Sequence, residues 1–298
     1  MEDKKKILFV INPIAGRTDK TSFIESIPLF ASENNVVYEL FYSTGKNDIE
    51  NLRQKIKEFD PEIIAAVGGD GTCNLVGSAI VNSDKIMGII PSGSANGMAN
   101  ELNIPKNPDQ ALAIMINGCV RTIDTIVINN KICLHISDIG LNARIIKRFE
   151  EEKIRGMWGY VKQFLKEILF YKSSRFIFSN KDIKFRKKAL VVAIANASRY
   201  GTGAVINPVG KINDGKFEVC IVKPYPFWAI FIMTLAIFLG YLDKIKYADI
   251  RSYTKIKIIN KKNKPLHIDG EIIEIANVIE AQINPLSLKI LVPQDNIL

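Results

Sequence analysis

Ile63-Ile64-Ala65-Ala66-Val67-Gly68-Gly69-Asp70-Gly71-Thr72 joins a short apolar run to three glycines and a single acid. The run is β-branched at three positions and predicts a buried strand, and Cys73 to Val81 predicts the helix that leaves it. Gly68, Gly69 and Gly71 let the backbone take positive φ and bring its N–H groups close to a ligand, while the helix N-terminus adds the positive end of its dipole. Such a loop suits phosphate. A carboxylate among these donors opposes a bare phosphate, so Asp70 is expected to hold a cation such as Mg2+ that bridges phosphate oxygens. The other reading of the loop, taken alone, is a tight turn with Asp70 as a helix cap.

Upstream, residues 6–11 predict a first strand that ends at Asn12-Pro13-Ile14-Ala15-Gly16-Arg17. Asn12, Gly16 and Arg17 then stand where a nucleotide meets a strand's carboxyl end, the alternative being an ordinary strand-to-helix turn. Residues 20–32 read as a helix, 36–41 as a strand, and 47–59 as a helix stopped by Asp60-Pro61. This βαβαβ alternation predicts an open, doubly wound parallel sheet with its ligand loops gathered at one edge. Downstream, Ile86 to Ile90 is a fourth strand, and Pro91-Ser92-Gly93-Ser94-Ala95-Asn96-Gly97 is a second loop of small residues before a helix. Ser92, Ser94 and Asn96 supply hydroxyl and amide groups that complete a site opposite Asp70. Two such loops on neighbouring strands are far more specific than one.

The bulk composition narrows the rest. With 298 residues and 47% apolar content the chain has a real core, so disorder is excluded. A net charge of +9 suits an acidic partner: nucleic acid, an anionic membrane or a phosphorylated substrate. Nucleic acid is the weakest of these, because no binding-fold motif or aromatic stacking pattern accompanies the charge. Cys73, Cys119, Cys133 and Cys220 are scattered without a C-x-x-C pair, and only His135 and His267 are available to assist. Neither a zinc site nor a disulfide framework is expected, and a reducing cytoplasm fits best. Lys4-Lys5-Lys6 before Ile7 to Ile11 starts like a signal peptide, but the apolar run meets Asn12-Pro13 too soon for export. No G-x-x-x-x-G-K-[ST] element is present, so this is not a P-loop enzyme.

From about Thr125 the pattern changes to short β-rich runs at 125–129, 132–138, 175–179, 189–196, 217–222, 254–259 and 266–268. Gly156 to Tyr171 reads as a helix with Val161, Phe164, Leu165, Ile168 and Leu169 at helical spacing. Pro224 to Leu242 carries no charge, and as a helix it would extend roughly 28 Å, against about 30 Å of bilayer hydrocarbon. A true span is disfavoured, since it would part the glycine loops from Asp269-Gly270-Glu271 across a membrane. Two readings remain: a buried helix, or an interfacial anchor. Lys244, Lys246, Arg251, Lys255, Lys257, Lys261, Lys262 and Lys264 follow closely. They suit an anionic surface, or else solvated strand edges, as Lys255-Ile256-Lys257-Ile258 alternates like a half-exposed strand. Leu266-His267-Ile268 delivers the acids Asp269 and Glu271 on either side of Gly270. Paired carboxylates suit general-base work, while a plain β-turn is the other reading; neither histidine is given a catalytic role.

Asn12-Pro13 with Gly16, Gly68-Gly69-Asp70-Gly71-Thr72, and Pro91-x-Gly93-Ser94-x-Asn96, in this order and spacing, resemble the catalytic domain of the diacylglycerol kinase and sphingosine kinase family of lipid kinases. The resemblance continues through Ile139 to Ala143, Asn196 to Gly203, Asn213-Asp214-Gly215 and Asp269-Gly270-Glu271. The glycine block alone is shared with the NAD kinases. The resemblance implies an α/β nucleotide-binding domain over residues 1–124, with a returning strand at Leu286 to Val292 within 285–298. It also implies a β-rich sandwich domain over 125–284 that carries part of the lipid site, with the active site in the cleft between the two.

By the same resemblance ATP and Mg2+ are the cofactors. Nucleotide contacts fall to Asn12, Gly16, Arg17, Thr44, Gly68, Gly69, Asp70, Gly71, Thr72, Gly93, Ser94 and Asn96. Asp70 is a metal ligand, and Asp214 stands where the family can carry an additional metal, a hairpin turn being the other reading there. Asp269 is implied as the general base, with Glu271 holding Asp269 or a metal in place. One departure concerns the second loop, where many diacylglycerol kinase relatives have Asn-Asp and this chain has Asn96-Gly97. A carboxylate linked to the substrate side is thereby absent, and Ser94-Ala95-Asn96 is closer to the Ser-Gly-Asn of sphingosine kinases. The expected activity is ATP- and Mg2+-dependent transfer of a γ-phosphate to the hydroxyl of a lipid of the diacylglycerol or sphingoid-base class. It is expected at an anionic membrane surface, by a cytoplasmic, peripherally attached protein; a homodimer is compatible with the sequence. The rivals are a NAD-kinase-like enzyme with a soluble acceptor and a non-catalytic nucleotide- and lipid-binding protein.

Overall fold

The computed structural model describes residues 4–13, 20–140, 173–200, 203–273 and 277–294. The chain forms two compact units, Met1–Thr125 with Pro285–Leu298, and Ile126–Asn284. The first unit runs β1 (Lys5–Ile11), α1 (Thr21–Glu33), β2 (Val36–Tyr42), α2 (Asp48–Phe59), β3 (Ile63–Gly68), α3 (Asp70–Ile80), β4 (Ile86–Pro91), α4 (Gly97–Glu101) and α5 (Pro108–Asn117), and then enters β5 (Cys119–Ile128). The first four strands pair in parallel in the order β2-β1-β3-β4. Ile7 to Ile11 are fully buried and so, nearly, is all of β3, as in a sheet covered on both faces. The strand order reverses between β1 and β3. A crevice outside the strands' carboxyl ends belongs at such a point, and the glycine loop follows β3 there.

One boundary differs from the expected helix at Cys73. Gly69 is extended (φ −100°, ψ −163°) and serves as N-cap, so Asp70, Gly71 and Thr72 are already the first turn of α3. Helix α5 was not expected, although its start is written in Asn107-Pro108. The Asn107 side chain accepts a hydrogen bond from the Gln110 N–H at 3.0 Å, and Pro108 opens the first turn.

The second unit contains β6 (Lys131–Cys133), β7 (Ile136–Gly140), β8 (Ser174–Ser179), β9 (Lys184–Ala189), β10 (Val191–Ala195), β11 (Phe217–Val222), α6 (Ile230–Leu239), β12 (Ala248–Tyr253), β13 (Lys255–Ile259), β14 (Leu266–Ile268), β15 (Glu271–Ile273) and the start of β16 (Val278–Val292). Two antiparallel layers form: β12-β11-β10-β7-β14-β15, and β16-β13-β8-β9. Phe176, Phe178 and Ile258 from one layer and Val192, Phe217 and Val219 from the other share one buried cluster, which makes the unit a β-sandwich. At Pro285 the chain returns to the first unit, where the end of β16 lies parallel to β4 through Lys289↔Ile86 and Ile290↔Met87. The expected α/β sheet followed by a β-rich sandwich is what the chain forms.

Strand β9, Lys184-Phe185-Arg186-Lys187-Lys188-Ala189, was not foreseen because its composition is that of a solvated loop. It sits at the end of its layer's strand order, where outward lysines protect an open edge. The alternation Lys255-Ile256-Lys257-Ile258 is a half-exposed strand, with Lys257 paired to Glu280 at 2.8 Å. Residues 224–242 do not form a buried helix. Between Phe227 and Leu239 a short 3-10 turn and α6 bury Ala229, Met233 and Ala236, while Phe227, Phe231 and Phe238 are 73%, 76% and 60% exposed. Among the described residues no helix is long and apolar enough to cross a membrane. The helix expected over 156–171 and the stretch 141–143 lie outside the described residues, as do Gly16 and Arg17.

Candidate functional site

In the first unit the two small-residue loops interlock. A methyl group on Gly93 would lie 2.4 Å from the Gly69 Cα, and one on Gly69 would lie 3.1 Å from the Gly93 Cα, so the loops touch backbone to backbone. The Asp70 carboxylate crosses the same junction: Oδ2 accepts the Gly97 N–H at 2.9 Å and Oδ1 the Met98 N–H at 3.0 Å. Asp70 thus opens one helix and caps the next. Asn96, at φ +54°, spends its amide inside its own loop, accepting from the Gly93 N–H and donating to the Gly93 carbonyl, both at 2.9 Å. The Gly97 that replaces the family's carboxylate is buried and donates its N–H to Asp70.

Hydrogen-bond donors exceed acceptors at this junction. The N–H groups of Asp70, Gly71 and Thr72 open α3 and have no acceptor within the helix, and no side chain caps it. Among the described residues Thr72 Oγ1 and Ser92 Oγ, both buried, find no hydrogen-bond partner, which is rare in folded chains. The space is tight, since a methyl on Gly68 would meet Thr72 Oγ1 at 2.1 Å. A surplus of donors at a helix N-terminus fits an anion such as a phosphate.

Other expected contacts are distributed unevenly. Asn12 follows β1 and donates its backbone N–H to the Val67 carbonyl at 3.3 Å, beside the glycine loop. Ser94 is exposed in the second loop. Thr44 lies two residues beyond the end of β2, and its hydroxyl donates to Asp48 Oδ1 at 2.9 Å. Asp214 is exposed and its Oδ1 accepts the Lys216 N–H at 3.0 Å, closing a turn before β11. Among the described residues no group of three His, Cys, Asp or Glu side chains could hold a metal ion.

The second unit carries the Asp269-Gly270-Glu271 turn, and Asp269 is enclosed by it. Its side chain, in a residue only 3% exposed, accepts the backbone N–H groups of Leu134 at 2.7 Å, His135 at 2.9 Å and Ile136 at 3.1 Å. The Cys133 thiol lies 3.4 Å from Oδ1. Burial, and then the Asp269 charge, push that thiol well above its ordinary value, so it stays protonated and donates. Asp269 therefore clamps the turn between β6 and β7, and it adopts φ +46° to do so, followed by Gly270 at +95°. Glu271, two residues on, begins β15 and is exposed.

Two groups behind this turn were given no role from sequence, His267 and Asp138. His267 Nε2 accepts the Gly270 N–H at 2.9 Å, which leaves the proton on Nδ1, 3.6 Å from the fully buried Asp138. The Tyr200 hydroxyl donates to the same Asp138 at 3.2 Å. A histidine two residues before the acid, in an otherwise apolar strand, was the available signal.

A parallel sheet with a donor-rich helix N-terminus at its switch point, followed in the chain by a β-sandwich, defines an α/β unit of a kind suited to phosphate with a second β unit. A family model for the diacylglycerol kinase catalytic domain matches residues 6–128, and one for the YegS C-terminal NAD kinase beta sandwich-like domain matches 136–292. The chain belongs to this diacylglycerol kinase and YegS family. Membership of a kinase family implies ATP as the phosphate donor. Over 212 residues the chain is 27% identical to the lipid kinase YegS of Escherichia coli (strain K12), covering 68% of this chain and 70% of that protein. It is 27% identical over 197 residues to a "Probable lipid kinase YegS-like" of Enterobacter sp. (strain 638), covering 63% of this chain and 66% of that one. The matched part thus spans about two-thirds of these relatives' length. A solved diacylglycerol kinase structure from Bacillus anthracis str. Sterne superposes with a TM-score of 0.73 over 100% of both chains, at 16% identity, which speaks for the fold alone.

Proposed function

We propose that this chain is an ATP- and Mg2+-dependent lipid kinase that transfers the γ-phosphate to the hydroxyl of a lipid of the diacylglycerol or sphingoid-base class. It acts as a peripheral protein at the cytoplasmic face of a membrane. The observation that carries the reading is the junction of the two loops, with its surplus of donors locked in place by Gly69, Gly93 and Asp70. The name of the E. coli relative supports a lipid acceptor over a soluble dinucleotide.

In this reading the N–H groups of Asp70, Gly71 and Thr72 bind phosphate oxygens at the positive end of α3. Asn12, Thr44, Gly68, Gly69, Gly93, Ser94 and Asn96 shape the rest of the nucleotide site, together with Gly16 and Arg17. A Mg2+ ion usually takes one or two carboxylates and fills its shell with phosphate and water; Asp70, each of whose oxygens accepts one backbone N–H and keeps a second lone pair, would hold it, and the ion would supply charge neutralisation. Asp214 serves its turn.

The two acids of the second unit exchange the roles expected of them. Glu271 is the general base: it takes the hydroxyl proton as the lipid oxygen attacks the γ-phosphorus and the bond to the β-phosphate oxygen breaks. Asp269 holds the turn that carries Glu271. The test is transfer of labelled γ-phosphate from ATP into organic-extractable product, with vesicles of diacylglycerol or sphingoid bases. Labelled lipid, lost on chelation and reduced on the order of 10²-fold or more by Glu271→Gln, is the expected result. Label in NAD instead, or ATP binding without any transfer, overturns it.

A further inference from the structure

Helix α6 is inverted for a helix of a water-soluble unit. Ala229, Met233 and Ala236, at the spacing of one helical stripe, face inward. The large side chains face out: Phe227 at 73% exposure, Trp228 at 64%, Phe231 at 76%, Leu235 at 49%, Phe238 at 60% and Leu239 at 58%. No charged residue occurs between Lys223 and Asp243. The face is held in this orientation, since the Val205 N–H bonds the Ile237 carbonyl at 3.0 Å and Gly240, at φ +73°, lets the Tyr241 N–H return to the Ala236 carbonyl at 2.8 Å. Contiguous exposed apolar surface of this kind marks a partner.

We propose that this face docks the chain onto an anionic lipid bilayer, with α6 lying in the plane of the interface and its outward aromatic side chains among the acyl chains. The proposal shares the bilayer with the kinase reading but rests on α6 and its rim alone. Three observations favour a bilayer over a protein groove. Apolar side chains leave the helix on every side except one narrow stripe, which suits a fluid medium better than a shaped cleft. The rim is basic: Lys223 precedes the segment, the exposed Lys244 and Lys246 follow it, and exposed Arg199 bridges to the same Val205 that bonds α6. The acid at the rim, Asp243, is paired with Lys244 at 2.8 Å. Finally, the ten residues of α6 span about 15 Å, half of the roughly 30 Å of bilayer hydrocarbon, so the helix lies flat rather than crossing.

The test is flotation of the whole chain with phosphatidylglycerol or phosphatidylcholine vesicles, with Trp228 fluorescence followed in a Trp158→Phe background. Expected are preferential, salt-weakened binding to phosphatidylglycerol, a blue shift of Trp228, and about tenfold weaker partitioning for Phe231→Ser with Phe238→Ser. The double variant should keep the parent's thermal midpoint and its turnover of detergent-dispersed lipid, which separates docking from catalysis. Vesicle binding without any phosphoryl transfer sustains the docking face and overturns the kinase reading. Absence of vesicle binding, or binding that the double variant leaves intact, overturns the docking face. So does a concentration-dependent dimer, abolished by the double variant, that forms without vesicle binding; it would make this an interface between copies of the chain.

Discussion

At the scale of single residues, the proposed mechanism gives the two acids flanking Gly270 different tasks, one structural and one chemical, and they should fail differently when changed. Asp269→Ala strands the N–H groups of Leu134, His135 and Ile136 in a buried turn. An unsatisfied buried donor costs about 1–3 kcal/mol, so urea unfolding should show the loss of at least about 2 kcal/mol together with activity. Glu271→Gln, at an exposed position, should leave the unfolding curve unchanged and lower kcat, with KM for ATP little altered. An Asp269→Ala variant with parental stability and no turnover would reverse the assignment. Gly93→Ala drives a methyl group to 2.4 Å from the Gly69 Cα, and backbone cannot yield as a flexible side chain does. Nucleotide affinity, read by calorimetry, should fall by about tenfold or more in this variant, a change of over about 1.4 kcal/mol.

At the scale of elements, α2 starts without a side chain from its N-cap residue Asn47 and relies on its first residue instead. Asp48 accepts from the Thr44 N–H and hydroxyl and from the Gly45 N–H, at 2.7 to 3.1 Å. Burial pushes the Asp48 carboxyl up, but these hydrogen bonds together outweigh it and hold the group below its ordinary value. A carboxyl depressed in the folded state stabilises at pH values above its unfolded pKa, and that contribution is lost as pH falls through the folded value. Asp48→Asn should therefore cost about 1 kcal/mol at neutral pH, and the gap between variant and parent in thermal melts should close in acid, below the ordinary carboxylate range. A gap that persists there would mean the charge is irrelevant to the turn. Strands and helices were unequally legible for related reasons. Runs such as Ile63 to Val67 and Phe217 to Val222 announce buried strands, because both faces are covered and every position is apolar or small with few exceptions. β9 hides, because an edge strand protects itself with the same lysines that mark a solvated loop.

At the scale of the whole molecule, the last strand of the first unit is supplied by the far end of the chain. The Leu286 N–H, at φ +46°, donates to the buried Asp124 at 2.6 Å, and the Thr125 and Ser287 hydroxyls bond each other at 2.8 Å. A chain ending at Asn284 should lose cooperative unfolding by far-UV circular dichroism, since β4 loses the strand on the side away from β3 and the buried Asp124 loses the Leu286 N–H; a parental transition would refute this dependence. The alternation of apolar runs with helices determined the parallel sheet from sequence alone, because crossover connections force that arrangement. The spacing of small residues marked the two loops, since glycine is the residue that permits close backbone approach. Tertiary structure alone decided the rest: which carboxylate is consumed by the fold depends on whether Asp269 meets N–H groups distant in sequence. Likewise, Pro224 to Leu242 reads as an apolar segment in either environment. Its outward face is set by what packs beneath it, and packing is not written in hydropathy.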